Sequence, residues 1–235
     1  MNRIAAMLAT VLLLVATSLV AQDLQKGMDA YAAGDYAIAI QEWIPLAEQG
    51  NSAAQYNVGL LYEKGRGVPQ DYGEAYTWYS LSAEKGVTAS QYGLGYLYDK
   101  GLGIPQDFTL AIKWYTLAAE QGNLIAQVRL SVMYTLADGV RADLAEALKW
   151  SRVAAKNGSA TAQTNLGLIY EYSNFDIIEK NVMAHMWYNV ASGNGNEDAA
   201  EWRDELAVRM TLSEISKAQA MAKECMNSGY KNCGD

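Results

Sequence analysis

Glutamines at Gln55, Gln91, Gln127 and Gln163 stand 36 residues apart, and no other feature constrains this chain as strongly. Tryptophans keep the beat at Trp78, Trp114 and Trp150, then Trp187 one residue late. Glycines follow at Gly50, Gly86, Gly122 and Gly158, then Gly195. A fixed period between about 20 and 50 residues marks stacked supersecondary units, each burying its apolar face only against its neighbours. Such stacks usually bind other molecules along a shared surface, and few of them catalyse.

Each unit reads as two helices. In the first, Ala54, Val58, Leu61 and Tyr62 share one helical face, and Ser90/Leu94/Leu97/Tyr98, Ala126/Leu130/Met133/Tyr134 and Ala162/Leu166/Ile169/Tyr170 repeat it. Gly59, Gly95, Ser131 and Gly167 occupy one position. Glycine costs about 1 kcal/mol inside a helix, so its recurrence implies close approach of a neighbour. The second helix carries Ala75, Trp78, Tyr79 and Ser82, repeated as Ala111/Trp114/Tyr115/Ala118, Ala147/Trp150/Ser151/Ala154 and Ala184/Trp187/Tyr188/Ala191. The aromatic stripe is read as core, the alternative being a platform for a cofactor or sugar. Trp114 is therefore expected to be buried.

The turns agree with the helices. Lys64 to Asp71 (KGRGVPQD) parallels Lys100 to Asp107 (KGLGIPQD). Glycine accepts the left-handed conformation that closes a helix, and proline stops it from continuing. Asp71, Asp107 and Asp143 stand where each second helix would be capped. No strand precedes these glycines, so they are not a phosphate loop. The third unit has Arg141-Ala142 in place of Pro-Gln, and the fourth replaces the whole turn with Ser173 to Ile178. A shorter pair at Leu24–Ala33 and Tyr36–Gln49 precedes the repeats. Helices at Asn196–Val208 and Leu212–Asn227 follow, the second opening on a Thr211/Glu214 capping box.

Composition narrows the partners. The formal charge is −8, and outside the first 21 residues 17 basic residues face 26 acidic ones. That excludes a basic stripe for nucleic acid and leaves a basic partner open. Arg3, the apolar run Ile4 to Val20 and the abrupt polarity at Gln22-Asp23 read as an export signal cut after Ala21, although Leu19 stands at the usual small −3 position. An uncleaved anchor is the alternative, and the run of about 17 residues is marginal for a span. In an exported chain, Cys225 and Cys233 are expected to pair; two free thiols are the alternative. One histidine, His185, and scattered carboxylates lack the spacing of a metal site, and no cofactor is implied.

The segment from Ala54 to Tyr62, the turn from Gly65 to Tyr72, and Glu74-Ala75 with Trp78-Tyr79 together resemble the Sel1-like repeat, a branch of the tetratricopeptide-like helical repeats. The resemblance implies an all-α fold, a right-handed α-solenoid of paired antiparallel helices that binds proteins. On this reading the chain divides into a leader 1–21, a divergent helix pair 22–52, repeats 53–88, 89–124, 125–160 and 161–195, and a cap with tail 196–235. In such repeats the first helices line the concave face. The positions there that packing does not claim are Tyr56, Asn57, Leu60 and Glu63, then Tyr92, Tyr96 and Asp99, then Val128 and Val132, then Thr164, Asn165, Leu168 and Glu171. They predict an aromatic groove with an acidic rim, suited to an extended segment with apolar and basic side chains.

The expected function is an exported scaffold or regulator that holds a protein or peptide, with a purely structural adaptor of an envelope or secretion complex as the alternative. Cysteine-rich exported relatives of the repeat have been linked to β-lactam hydrolysis, but they carry a cysteine pair in nearly every repeat. This chain has no cysteine between Asp23 and Glu224. A lone histidine without a serine or cysteine motif gives no nucleophile–base pair, so the chain is not expected to be an enzyme.

Overall fold

The computed structural model describes residues 23–137, 141–172 and 180–233. The leader read at 1–21 and the fourth repeat's divergent turn at 173–178 lie outside the described residues. Among the described residues every regular element is a helix: α1 (23–33), α2 (Tyr36–Glu48), α3 (Ser52–Lys64), α4 (Tyr72–Ala83), α5 (Thr88–Lys100), α6 (Phe108–Glu120), α7 (Leu124–Leu136), α8 (Leu144–Lys156), α9 (Ala160–Tyr172), α10 (Lys180–Gly193), α11 (Glu197–Ala207) and α12 (Leu212–Asn227). The fold class is an all-α helical repeat solenoid. No described helix is long and apolar enough to cross a membrane.

The chain forms two compact units, Met1–Leu117 and Ala118–Asp235, with the boundary inside α6. In the first, α2 packs on α3, α3 on α4 and α4 on α5. In the second, α7 packs on α8, α8 on α9, α9 on α10, and α10 on both α11 and α12. Pairing each helix with the next in sequence makes most contacts local.

The 36-residue glutamine has a physical cause. Each sits in the first turn of its helix and donates from Nε2 to the alanine carbonyl eight residues earlier: Gln55 to Ala47 (3.0 Å), Gln91 to Ala83 (3.3 Å), Gln127 to Ala119 (3.0 Å) and Gln163 to Ala155 (3.2 Å). Each of these carbonyls lies in the last turn of the preceding helix and also accepts the amide of the recurring glycine three residues on, Gly50, Gly86, Gly122 or Gly158. The glutamine is a second donor to the same oxygen, and the bond gives its own buried amide a partner, which would cost about 1–3 kcal/mol left unmade.

Aspartates cap the second helices as the sequence indicates. Asp71 accepts from the Gly73 and Glu74 amides, Asp107 from Leu110, and Asp143 from Ala145 and Glu146. Each cap is worth about 1 kcal/mol. Asn51, Asn123 and Asn196 cap α3, α7 and α11 in the same way. The Thr211/Glu214 capping box opens α12. Gln70 and Gln106 fold the long turns back, donating to the carbonyls of Glu63 (2.8 Å) and Asp99 (2.7 Å).

The core repeats with the sequence. Ala54, Val58, Leu61, Leu94, Leu97, Leu130, Met133 and Leu166 are fully enclosed, each large side chain contributing about 1.5–3 kcal/mol. The aromatic stripe needs one correction. Trp150 and Trp187 are buried, but Trp114 and Trp78 are only half-buried. The enclosed place in those repeats belongs to the next residue, Tyr79 or Tyr115. The recurring glycine admits it: a Cβ on Gly59 would lie 2.7 Å from the Tyr79 ring, and one on Gly95 2.5 Å from the Tyr115 ring. In these two repeats the tryptophan stands at the seam, where Lys113 Nζ lies 5.5 Å from the Trp114 ring centre, whereas in the fourth Gly167 admits Tyr188 and Trp187 is buried beside it.

In the C-terminal segment, Cys225 of α12 and Cys233 of the tail lie side by side with Cα atoms 4.5 Å apart, within the reach of the expected disulfide. The tail between them carries Tyr230, whose hydroxyl donates to Asn194 Oδ1 (2.7 Å) just beyond α10. Asn194 Nδ2 in turn donates to Gln163 Oε1 (2.7 Å), joining the tail to the glutamine of the fourth repeat.

Candidate functional site

Tyr56, Leu60 and Glu63 recur along α3 at intervals of four and three residues, and Tyr92, Tyr96 and Asp99 repeat that spacing on α5. Helical geometry sets each trio on one face. The packing of α3 and α5 on α4 brings most of them to one place. A cavity of about 180 Å³ is lined by Tyr56, Leu60, Glu63 and Lys64 from α3, Tyr79 from α4, and Ala89, Tyr92, Gly93 and Tyr96 from α5. Five of the residues singled out in the sequence therefore converge.

The base of this cavity is closely packed. Tyr79 lies with its ring between Gly59 and Gly93, where added Cβ atoms would come within 2.7 and 2.8 Å of it. Tyr56 stacks on Tyr79 with ring centres 5.9 Å apart. The Tyr79 hydroxyl donates to Glu63 Oε2 at 2.6 Å, and Lys64 Nζ bonds to Oε1 of the same carboxylate. Burial first, and the neighbouring Glu63 second, push the Tyr79 and Tyr56 hydroxyls above their ordinary range. The hydrogen bond to Glu63 raises the Lys64 ammonium. The site thus offers tyrosine walls and one carboxylate paired with one ammonium.

The acidic rim read from the sequence is corrected here. Glu63, Asp99 and Glu171 are buried, and each accepts from the tyrosine of the following helix: Tyr79 at 2.6 Å, Tyr115 at 3.2 Å and Tyr188 at 2.8 Å. Packing claims them, because a phenol entering a glycine notch must find an acceptor. Lys64, Lys100 and Arg209 cover the three carboxylates from outside. Of the three, only Glu63 lines the described cavity.

The other groove residues do not line that cavity. Thr164 is buried and donates to the Ala160 carbonyl at 2.9 Å, so it serves its own helix. Val128 and Leu168 are half-buried against the core of the second unit, and Val132 is half-buried on α7. Asn57 is half-buried; Asn165 Nδ2 is enclosed with no hydrogen-bond acceptor among the described residues. His185 is buried against Asn189, whose Nδ2 lies 2.9 Å from Nδ1, and burial lowers its pKa. Among the described residues, no three His, Cys, Asp or Glu side chains are grouped to hold a metal ion. Sequence reading missed Lys64 and Tyr79 as cavity residues. The Lys64-Gly65 and Lys100-Gly101 pairs, each following an acid, were the available signal.

Four consecutive segments, 52–87, 88–123, 124–159 and 160–196, match the Sel1 repeat. The chain is similar to the crystal structure of a Sel1 repeat protein from Oxalobacter formigenes, with 30% identity, a TM-score of 0.73, and 88% of this chain and 83% of that one covered. It is also similar to a protective antigen present in uropathogenic Escherichia coli strains displaying an SLR fold: 28% identity, TM-score 0.52, 90% of this chain and 55% of that one. A 49-residue stretch is 45% identical to DAP3-binding cell death enhancer 1 of Rattus norvegicus and of Mus musculus. That stretch is 21% of this chain and only 10% of those proteins' length.

Proposed function

Because the chain belongs to the Sel1 repeat family, whose repeats are in general protein-interaction scaffolds and typically not catalytic, we propose that it binds an extended protein segment through the face of its first two repeats. The observation that carries this reading is the convergence of Tyr56, Leu60, Tyr92 and Tyr96 on one cavity beside Glu63. Tyrosine supplies large amphipathic contact area with few torsions to freeze, which is why it concentrates binding energy at interfaces. The partner surface is apolar with basic side chains, because the cavity's carboxylate and the chain's net charge of −8 both favour cations.

The interaction takes place outside the cytoplasm, in the periplasm or after secretion. The apolar run from Ile4 to Val20 behind Arg3 supports export, and the Cys225–Cys233 pair fits an oxidising compartment.

One experiment examines both parts. The full chain is expressed with its own leader, recovered from the periplasmic fraction and used to capture partners, alongside a Tyr92→Ala/Tyr96→Ala variant whose helices are checked by circular dichroism. The expected mature protein begins at Gln22, and the variant loses the partner that wild type holds. An unchanged partner list on an intact fold would move the interaction off this face. A protein that still begins at Met1 and stays in the cytoplasm would remove the export reading.

A further inference from the structure

Resting on the groove reading above, we propose that the cavity between α3 and α5 takes a single arginine side chain of the partner, and that Lys64 fills that cation position in the unbound protein. At about 180 Å³ the cavity is smaller than the roughly 300 Å³ at which sites for drug-sized ligands begin. It has room for one long side chain and none for a folded element.

Its walls select the chemistry. Three tyrosines, Tyr56, Tyr92 and Tyr96, line it over the enclosed Tyr79, and ring faces attract cations, guanidinium most often. The acceptor is Glu63. Its Oε2 is held by the Tyr79 hydroxyl, which is fully enclosed and cannot leave. Its Oε1 is held by Lys64, whose side chain is 49% exposed and can leave. Solvent at the half-exposed Lys64 end screens the pair, and a cation that takes its place leaves the buried Glu63 carboxylate still paired. Lys64 is also the last residue of α3, where an ammonium released from Glu63 still faces the negative end of the helix.

Arginine gains where lysine does not. A partner lysine would replace one ammonium by another. A guanidinium lays a flat face against the rings while its edge donates to Oε1, and it is less strongly hydrated than an ammonium. The corresponding acid of the second repeat is less suited: Asp99 is one methylene shorter than Glu63 and is enclosed at 1% exposure.

The test titrates the full chain with N-acetyl-arginine amide, read on the ring resonances of Tyr56, Tyr92 and Tyr96, beside N-acetyl-citrulline amide, which has the same outline without the charge. The arginine probe should shift these signals saturably and the citrulline probe should not. Lys64→Met should tighten arginine binding about two- to fivefold by removing the internal competitor. Glu63→Gln, which keeps an acceptor for Tyr79, should weaken it about tenfold. Equal binding of citrulline, no saturable shift, or weaker binding by Lys64→Met would each overturn the proposal. The capture experiment separates the two readings. If Tyr92→Ala/Tyr96→Ala still loses the partner while the arginine probe is inert, the groove stands and only the arginine pocket falls.

Discussion

The second and third repeats solve the same packing problem in different ways. In the second, Gly95 opens a notch, Tyr115 fills it, and Asp99 accepts the phenol at 3.2 Å. In the third the same three positions hold Ser131, Ser151 and Thr135: the two buried serine hydroxyls bond to each other, and Thr135 bonds the Ser131 carbonyl at 2.8 Å. The first and fourth repeats follow the second, with Gly59, Tyr79 and Glu63, and with Gly167, Tyr188 and Glu171. All three positions change together. A glycine without the ring would leave a void, and a buried carboxylate without the phenol would lose a donor. The small residue is therefore one part of a three-residue device and not a general licence for close packing.

The largest effect comes from emptying the notch. Tyr115→Ala should cost about 3–5 kcal/mol, while Trp114→Ala, half-exposed, should cost clearly less. Ser151→Ala in the third repeat should cost about 1 kcal/mol, the worth of one hydroxyl bond. Urea midpoints of the three variants give the order. Transplanting the third repeat's solution sharpens the comparison. Gly95→Ser with Tyr115→Ser should be less destabilising than the sum of the single changes by about 1 kcal/mol or more, because Gly95→Ser alone drives a Cβ into the ring. Strict additivity would mean the positions are not coupled.

Much of this was legible in the sequence. The 36-residue beat, the Asp71, Asp107 and Asp143 caps and the Thr211 box sit where local pattern puts them, because capping and helical faces are short-range properties. The glutamine was visible as a rhythm, but its role was not. Its acceptor lies eight residues back on another helix, and only the fold shows that the carbonyl comes within reach there. Glu63 and Asp99 were misread for a related reason. An acid on a helical face looks solvent-facing until the tyrosine 16 residues later is seen to reach it. The cavity needed two helices in register, so its tyrosines could be named but Lys64 and Tyr79 could not be joined to them.

Alkaline pH divides the two kinds of repeat next. Burial raises Tyr79 and Tyr188 well above the ordinary tyrosine value of 10.0. In the unfolded chain these phenols ionise near pH 10, while in the folded chain they keep their protons. The folded state then holds more protons than the unfolded one, so stability is fully present below pH 10 and falls as pH rises above it. Each such group contributes a slope of up to about 1.4 kcal/mol per pH unit. Tyr79→Phe should therefore flatten the loss of stability between pH 10 and 11.5, measured by urea melts at several pH values. Ser151 does not ionise in this range, so Ser151→Ala should leave the slope unchanged. Equal slopes for wild type and Tyr79→Phe would show that the phenol titrates normally in the fold.

The smallest effect lies at the end of the first helix of each repeat. Gly65 and Gly101 close α3 and α5 in the left-handed region, with φ of 62° and 65°. The third repeat closes α7 with Ala137 at φ 57° and ψ 34°. Its backbone still donates to the Met133 carbonyl, so the cap is kept with a residue that is strained in it. An L-residue with a Cβ loses about 1 kcal/mol in that region. Ala137→Gly relieves this strain but also loosens the unfolded chain, which glycine does more than alanine. The two effects oppose, and the strain is the larger, so Ala137→Gly should stabilise by somewhat less than about 1 kcal/mol. Gly101→Ala should destabilise by at least as much, because its Cβ would also stand 3.2 Å from the Gln106 Cβ. Paired thermal melts of the two variants resolve the sign. A destabilised Ala137→Gly would mean that the third repeat closes α7 without left-handed strain and departs from its neighbours in the turn as well as in the notch.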